Sequence, residues 1–326
     1  MKPIWKDILF SAFMGLILPG ILLNFAAALM QQREYSPLHE ESSLAQSASG
    51  TSVVMPMLLR KESGSLMEMD MDTYLVGVLL AEMPAYFEPE ALKAQGVVAR
   101  TYARKAYETG GKHGDGSVCV SPACCQGYIS EEDYLASGGS GEDVEKIRGA
   151  VSATSGQVLT FGGELIEATY FSCSGGRTED AAAVWGRDFP YLQSVDSPGE
   201  ENAAHFTDTQ VFSPGEFAAA LGISGSGDPS SWVGLATYTE GGGVNTMVIG
   251  EKTFTGTELR SLLGLRSTAF FITIEEQEIS ISTKGYGHRV GMSQFGADAM
   301  AVAGSSYQEI LSHYYGGTEL IQLSEH

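Results

Sequence analysis

The sequence predicts an α+β protein, mixed helices and antiparallel strands forming a two-lobed domain with a central groove, preceded by one transmembrane helix. Three observations predict it. An almost unbroken apolar run fills positions 8–30, two helical patterns meet at a proline corner between 71 and 106, and strand-turn-strand patterns precede and follow that pair. With 326 residues, 43% of them hydrophobic, the chain can bury one large core or two. A net charge of -21 argues against nucleic acid or an anionic lipid surface as partner and leaves a largely uncharged glycan open.

The run from Ile8 to Met30, roughly 23 residues, is long enough to cross a bilayer. Lys2 and Lys6 precede it, so the positive-inside bias keeps residues 1–31 as a cytoplasmic start and membrane anchor, with the rest outside. A cleaved signal peptide, with Ala26, Ala27 and Ala28 near its end, is the alternative; the length of the run favours the anchor. Residues 32–52, polar and rich in Ser and Glu, read as a flexible linker, and 53–322 as the working domain. That domain opens on a hairpin, VVMPMLLR and LMEM about an ESGS turn.

The stretch MDTYLVGVLLAEMPAYFEPEALKAQGVVARTYARKA comes next. Asp72 is placed to cap a helix whose Leu75, Val78, Leu79 and Met83 form an apolar stripe, and Pro84 ends it. Pro89 starts a second helix carrying Leu92, Gly96, Ala99 and Ala103. Glu82, at the corner, is flanked by apolar residues; burial there raises a carboxyl pKa and makes a general acid usable near neutral pH. Lys93 and Arg100, seven apart, share a face of the second helix and suggest a cationic groove beside the acid. On the residues alone, a Glu82 that caps or salt-bridges at the helix end, with Lys93 and Arg100 on a solvated face, is the favoured reading, because surface charges are the norm.

A glycine-rich loop then holds His113, Cys119, Cys124 and Cys125. One imidazole and three thiolates suit a tetrahedral structural zinc site, whereas free thiols on an extracytoplasmic loop would oxidise. Glu131–Ser140 reads as a polar surface insertion, Val144–Ala153 as a helix, and QVLTFGGELIEATYFSCSGG as a hairpin turning at Gly162–Gly163 and running into a Ser- and Gly-rich turn. Between 199 and 263 the patterns give a helix from Phe212 capped at Ser213, two strands separated by Gly241–Gly243, and a helix from Phe254 with Thr255 or Thr257 as its cap. A strand, a glycine turn and a helix close the pattern in ISISTKGYGHRVGMSQFGADAMAVAG.

Several of these blocks, in this order, resemble the stage II sporulation protein D family of peptidoglycan lytic transglycosylases and its amidase-enhancer relatives. They are YLVGVLLAEMPAYFEPEALKAQGVVARTYA, FSCSGGRTED with the Trp and Pro-Tyr-Leu markers behind it, GYGHRVGMSQ, and LSHYYGGTEL, spanning 67–320. The resemblance implies Glu82 as catalytic acid, with Lys93 and Arg100 facing substrate. It also implies Ser172, Ser174, Gly175, Gly176, Tyr191, His288, Ser293 and Gln294 as substrate-binding residues. Cys173 replaces the family's Thr and Arg289 its middle Gly, and the latter rules out a strictly Gly-only backbone angle at 289. Some members carry zinc on the Cys loop, with His at the position of Cys124.

The resemblance further implies cleavage of the bond between N-acetylmuramic acid and N-acetylglucosamine in glycan strands stripped of stem peptides, leaving 1,6-anhydro ends. It implies work at the sporulation septum during engulfment, with the stage II sporulation proteins P and M as partners. The blocks supply one carboxylate, not the pair of an ordinary glycosidase. A transglycosylase needs one, because the muramic C6 hydroxyl replaces water, and it needs no metal for the chemistry. Two alternatives are a non-catalytic, glycan-binding amidase enhancer and a zinc hydrolase built on the Cys loop.

Overall fold

The computed structural model describes residues 56–275 and 278–323, so the apolar run at 8–30 and the linker after it lie outside the described residues. Among those described, no helix is long and apolar enough to cross a membrane.

The domain opens on an antiparallel hairpin of β1 (Pro56–Arg60) and β2 (Leu66–Asp70). Asp70, not Asp72, caps α1 (Met71–Glu82): its Oδ2 accepts from the amides of Asp72 at 3.0 Å and Thr73 at 3.2 Å. Helix α1 carries no single stripe, since Tyr74 through Leu80 are buried without a break; a helix apolar all round belongs inside a core. It ends at Met83, extended at φ -116° as a residue before proline must be. Helix α2 (Pro89–Thr109) starts on its proline and stops at Gly110, left-handed at φ 87°.

After α2, β3 (Val118–Cys119) adds to β1 in parallel. The polar stretch read as a plain insertion holds a short helix, α3 (Glu131–Ala136), and Ser140 then caps α4 (Gly141–Ala153). Strands β4 (Gln157–Phe161) and β5 (Glu164–Leu165) turn at the expected glycines, followed by β6 (Tyr170–Phe171) and α5 (Ala181–Trp185).

Residues 207–284 form a second lobe around their own apolar cluster. It contains β7 (Thr207–Phe212), α6 (Pro214–Leu221), β8 (Val233–Tyr238), β9 (Val244–Ile249), β10 (Lys252–Thr255), α7 (Gly256–Leu262), β11 (Phe270–Ile274) and β12 (Ile279–Lys284). Its two antiparallel sheets run β10-β9-β8 and β11-β12-β7. Ser213 and Thr255 cap α6 and α7 as expected, but Phe212 and Phe254 lie in the preceding strands rather than begin the helices. Phe217, Trp232, Ile249, Leu259 and Ile281 fill the core between these elements.

The chain then returns to the first lobe with β13 (Met292–Ser293), parallel to β6, then α8 (Gln294–Val302), α9 (Tyr307–Tyr314) and β14 (Glu319–Gln322), which pairs with β4. Helix α2 crosses this larger core, with α1, α4, α8, α9 and β4 packed on it. The architecture is α+β with mainly antiparallel pairing, as the sequence predicts.

A buried ion pair ties the lobes together. Arg289 Nη1 lies 3.1 Å from Glu179 Oε1, and the same guanidinium donates to the carbonyls of Ser174, Arg177 and Gly241 at 2.6–2.7 Å. Arg289 itself is left-handed at φ 65°, a region glycine favours but other residues can adopt, and so not the strictly Gly-only angle its side chain rules out. The left-handed region costs a non-glycine residue about 1–2 kcal/mol. Four side-chain contacts hold it there.

Candidate active site

Glu82 is the last residue of α1, where the forced turn at Met83 frees its side chain from the helix. Opposite it runs the segment Gln126–Ile129, which approaches α1 only because residue 77 is glycine: a Cβ there would lie 2.4 Å from the Tyr128 ring and 2.7 Å from the Ile129 carbonyl. Ile129 N–H donates to the Gly77 carbonyl at 3.1 Å, and the Tyr74 and Tyr128 rings stack at 5.9 Å. This docking presents Gly127 N–H to Glu82 Oε1 at 2.5 Å. The carboxyl is half-buried; burial pushes its pKa up, and the Gly127 N–H works against that rise.

Glu82 faces a cavity of about 870 Å³, within the size range of ligand sites. Gln294, first residue of α8, also lines it and donates from Nε2 to the Glu82 carbonyl at 3.2 Å. His288 lines it too, its ring 5.7 Å from Phe171 and 5.4 Å from Trp185. Burial, then the charges of Arg260 and Lys112, push the imidazole down to about 4, so it is neutral at pH 7. Val290 N–H donates to Nδ1 at 3.2 Å, leaving the proton on Nε2.

A tyrosine the sequence reading passed over completes the wall behind the acid. Tyr170 OH accepts from Gln126 Nε2 at 3.2 Å, and Gln126 Oε1 accepts from Tyr74 OH at 2.9 Å. Burial and the nearby Glu82 charge raise the Tyr170 pKa well above its ordinary value, so it stays a neutral phenol. The available signal was its place one residue before the Ser- and Gly-rich turn. Trp185 and Arg187, two positions apart in a block read only for its family markers, and Arg260, in a stretch without recognisable chemistry, line the cavity as well and were not among the expected site residues.

Of the expected substrate-binding residues, the cavity gathers Ser172, His288 and Gln294 around Glu82. Arg100 is not among them. It is fully buried, 3.0 Å from Asp72, and donates to the carbonyls of Thr154 at 2.8 Å, Val151 at 3.2 Å and Gln157 at 3.3 Å. Its face of α2 meets the end of α4, where the carbonyls of Val151 and Thr154 accept the guanidinium in addition to the backbone N–H groups three residues on. Lys93 is also outside the lining: its ammonium pairs with Glu90 at 2.5 Å and lies 6.0 Å from the Tyr307 ring. The seven-residue spacing therefore gives no cationic groove.

The Ser- and Gly-rich turn is likewise turned inward. Glu200, almost fully buried, accepts at Oε2 from Ser174 N at 2.7 Å, Ser174 Oγ at 2.8 Å and Gly175 N at 3.0 Å. Gly176 N–H donates to Ser174 Oγ. These donors satisfy an internal carboxylate and are closed to sugar hydroxyls. Ser293 is fully buried as the cap of α8, and Tyr191 is nearly buried, its hydroxyl accepting from Glu167 N at 3.0 Å.

His113, Cys119, Cys124 and Cys125 converge as expected, their donor atoms all within 4.8 Å of one another. His113 Nε2 is 3.5 Å from Cys125 Sγ and 3.8 Å from Cys124 Sγ, and the two sulfurs are 3.9 Å apart. Zn–S bonds of about 2.3 Å give a tetrahedron with edges of roughly 3.8 Å. Adjacent Cys124 and Cys125 thus both reach one centre. Cys124 and Cys125 also line the cavity, and Gln126–Gly127 follow them directly.

Fold and site together define an α+β protein whose cleft holds one half-buried carboxylic acid among aromatic and cationic side chains, beside a four-ligand cluster. The family model of stage II sporulation protein matches residues 60–161. Stage II sporulation protein D of Bacillus amyloliquefaciens is 36% identical over 332 residues, 98% of this chain and 96% of that one. Its counterpart in Bacillus subtilis is 38% identical over 266 residues, 80% and 77% of the two chains. The amidase enhancer of Bacillus subtilis is 30% identical over 305 residues, 76% of this chain and 40% of that longer one. The chain belongs to the stage II sporulation protein D family.

Proposed function

We propose that this chain is a peptidoglycan lytic transglycosylase remodelling the septal wall in sporulation. The observation that carries the reading is Glu82, a half-buried carboxyl of raised pKa in a cavity whose other carboxylate, Glu167, is held 2.7 Å from Lys105. Glu82 enters the reaction neutral and gives its proton to the oxygen joining N-acetylmuramic acid to N-acetylglucosamine. As the C1–O4 bond breaks, the resulting carboxylate takes the proton of the muramic C6 hydroxyl, and O6 closes on C1. No water is consumed, the acid is regenerated, and the product is a 1,6-anhydro end. Neutral Tyr170 is a hydrogen-bond donor for the sugar, and the neutral imidazole of His288 lines the same wall.

His113, Cys119, Cys124 and Cys125 would hold a Zn²⁺ ion with all four positions filled, which stiffens the loop leading into Gly127 and supplies no reacting ligand. We assign the N-terminal run to an uncleaved membrane anchor with the domain outside the cytoplasm. Denuded glycan is the substrate, and the stage II sporulation proteins P and M are partners by family resemblance. The match to an amidase enhancer supports a second reading, a glycan-binding activator without catalysis.

Digestion of denuded strands, with mass spectrometry of the ends, tests the choice. Wild type and Glu167→Gln should release anhydro ends, and Glu82→Gln should lose at least a hundredfold of the rate with its fold intact. No anhydro ends from wild type leaves the activator, and hydrated ends that vanish in Glu167→Gln make it a two-carboxylate hydrolase.

A further inference from the structure

The chain carries 40 acidic and 19 basic side chains, so an arginine has no shortage of possible counter-ions. Arg60, Arg100, Arg104, Arg148, Arg177, Arg266 and Arg289 each have a carboxylate within 4.0 Å. Arg260 has none. It is half-buried on the last turn of α7, and among the described residues its guanidinium makes neither an ion pair nor a hydrogen bond. It lines the 870 Å³ cavity and also a neighbouring groove of about 540 Å³ containing Gln210, Arg266 and Tyr286. Arg260 thus sits where the acid's cavity continues onto the second lobe.

Two further cations of the lining, Lys112 and Arg187, also enter no ion pair among the described residues; Lys112 donates to the Cys124 carbonyl, and Arg187 lies 4.9 Å over the Phe189 ring. With Glu167 matched by Lys105, the three cations Lys112, Arg187 and Arg260 outnumber Glu82 in either of its protonation states, so the lining is positive in a strongly negative molecule. Partial desolvation of an unpaired guanidinium is unfavourable unless a ligand completes it. The fork of Arg260 fits a planar oxyanion held through two parallel hydrogen bonds.

We propose that Arg260 is a specificity-determining residue that binds the free lactyl carboxylate of a muramic residue in the glycan strand. The assignment rests on the glycan reading above. A stem peptide in amide linkage removes that carboxylate, so Arg260 makes the site discriminate between bare and peptide-bearing strands.

The test uses peptide-free strands in two forms, native and with the lactyl carboxylates converted to methylamides by carbodiimide coupling. Wild type should lose ten- to a hundredfold in kcat/KM on the amidated strands, the value of a charge-assisted hydrogen-bond pair. Arg260→Ala should lose as much on native strands and treat the two alike; Arg260→Lys, which keeps the charge without the fork, should recover only part. Equal use of both strands by wild type, or discrimination retained in a folded Arg260→Ala, overturns the proposal. Strand binding in Glu82→Gln, with and without Arg260→Ala, separates the two readings. Carboxylate discrimination there without any cleavage by wild type sinks the transglycosylase and keeps Arg260, whereas cleavage without discrimination does the reverse.

Discussion

Replacing Gly127 by alanine isolates the support of the acid from the acid itself. Gly127 has an ordinary backbone angle, so alanine brings no conformational strain, and the loss of unfolded-state entropy is worth about 0.4–1 kcal/mol in favour of folding. Its Cβ, however, would lie 2.8 Å from Glu82 Oε1 and 3.2 Å from Cδ. The carboxyl must retreat by roughly half an ångström to reach ordinary contact, and the 2.5 Å hydrogen bond from Gly127 N–H lengthens or breaks. A 1 Å misplacement of a reacting group costs about a hundredfold, so about tenfold in kcat is expected here. The sign of the pH effect follows from the same contact. The Gly127 N–H favours the ionised carboxylate, so weakening it raises the pKa of Glu82 further. Because the acid works only while protonated, the alkaline limb of the rate profile should move to higher pH. Release of anhydro ends between pH 5 and 9, with thermal unfolding as control, measures both. An unchanged rate and profile in Gly127→Ala would refute the idea that this amide tunes the acid.

Two more outcomes follow from the corrected roles of the α2 cations and from the Cys loop. Arg100→Ala removes the guanidinium donor from Asp72 and three carbonyls and should cost about 3 kcal/mol in urea unfolding, the low end for a buried pair because Asp72 is partly exposed and keeps its bond from Ser155. Lys93→Ala should cost under about 1 kcal/mol, and loss of activity without loss of stability in either variant would restore the groove reading. Purified protein should hold one zinc per chain; a chelator should lower the unfolding temperature and zinc should restore it, while a chelator that stops catalysis below that temperature with the fold intact would favour the zinc hydrolase.

The elements legible in the sequence were those fixed by local chemistry. Pro84 and Pro89 set the corner between α1 and α2, the Ser213 and Thr255 caps set their helices, and Gly162–Gly163 sets a hairpin, each through contacts within a few residues. The convergence of Glu82, His288 and Gln294 was legible only through the family's motifs, since 206 and 212 positions separate the latter two from the acid. The Tyr74–Gln126–Tyr170 chain left no periodic signal, because β6 is two residues long and Gln126 follows a loop.

Charge was the hardest property to read, for a physical reason. A cation's role depends on which acceptors surround it in space, and spacing along one helix reports only which face it shares. Arg100 looked free to meet a substrate, yet its face turns to the carbonyls at and just after the end of α4, and burial with four acceptors makes it structural. Arg260 lies in a stretch with no recognisable chemistry, at the last turn of a seven-residue helix, and only the folded chain shows that, among the described residues, no acid pairs with it. In a molecule of net charge -21, the informative cation is the one the protein does not neutralise itself. That inverts the sequence-level inference: Arg100, conspicuous beside the acid, belongs to the scaffold, and Arg260, some 178 positions beyond the acid, stands in the cleft without a partner for its guanidinium among the described residues.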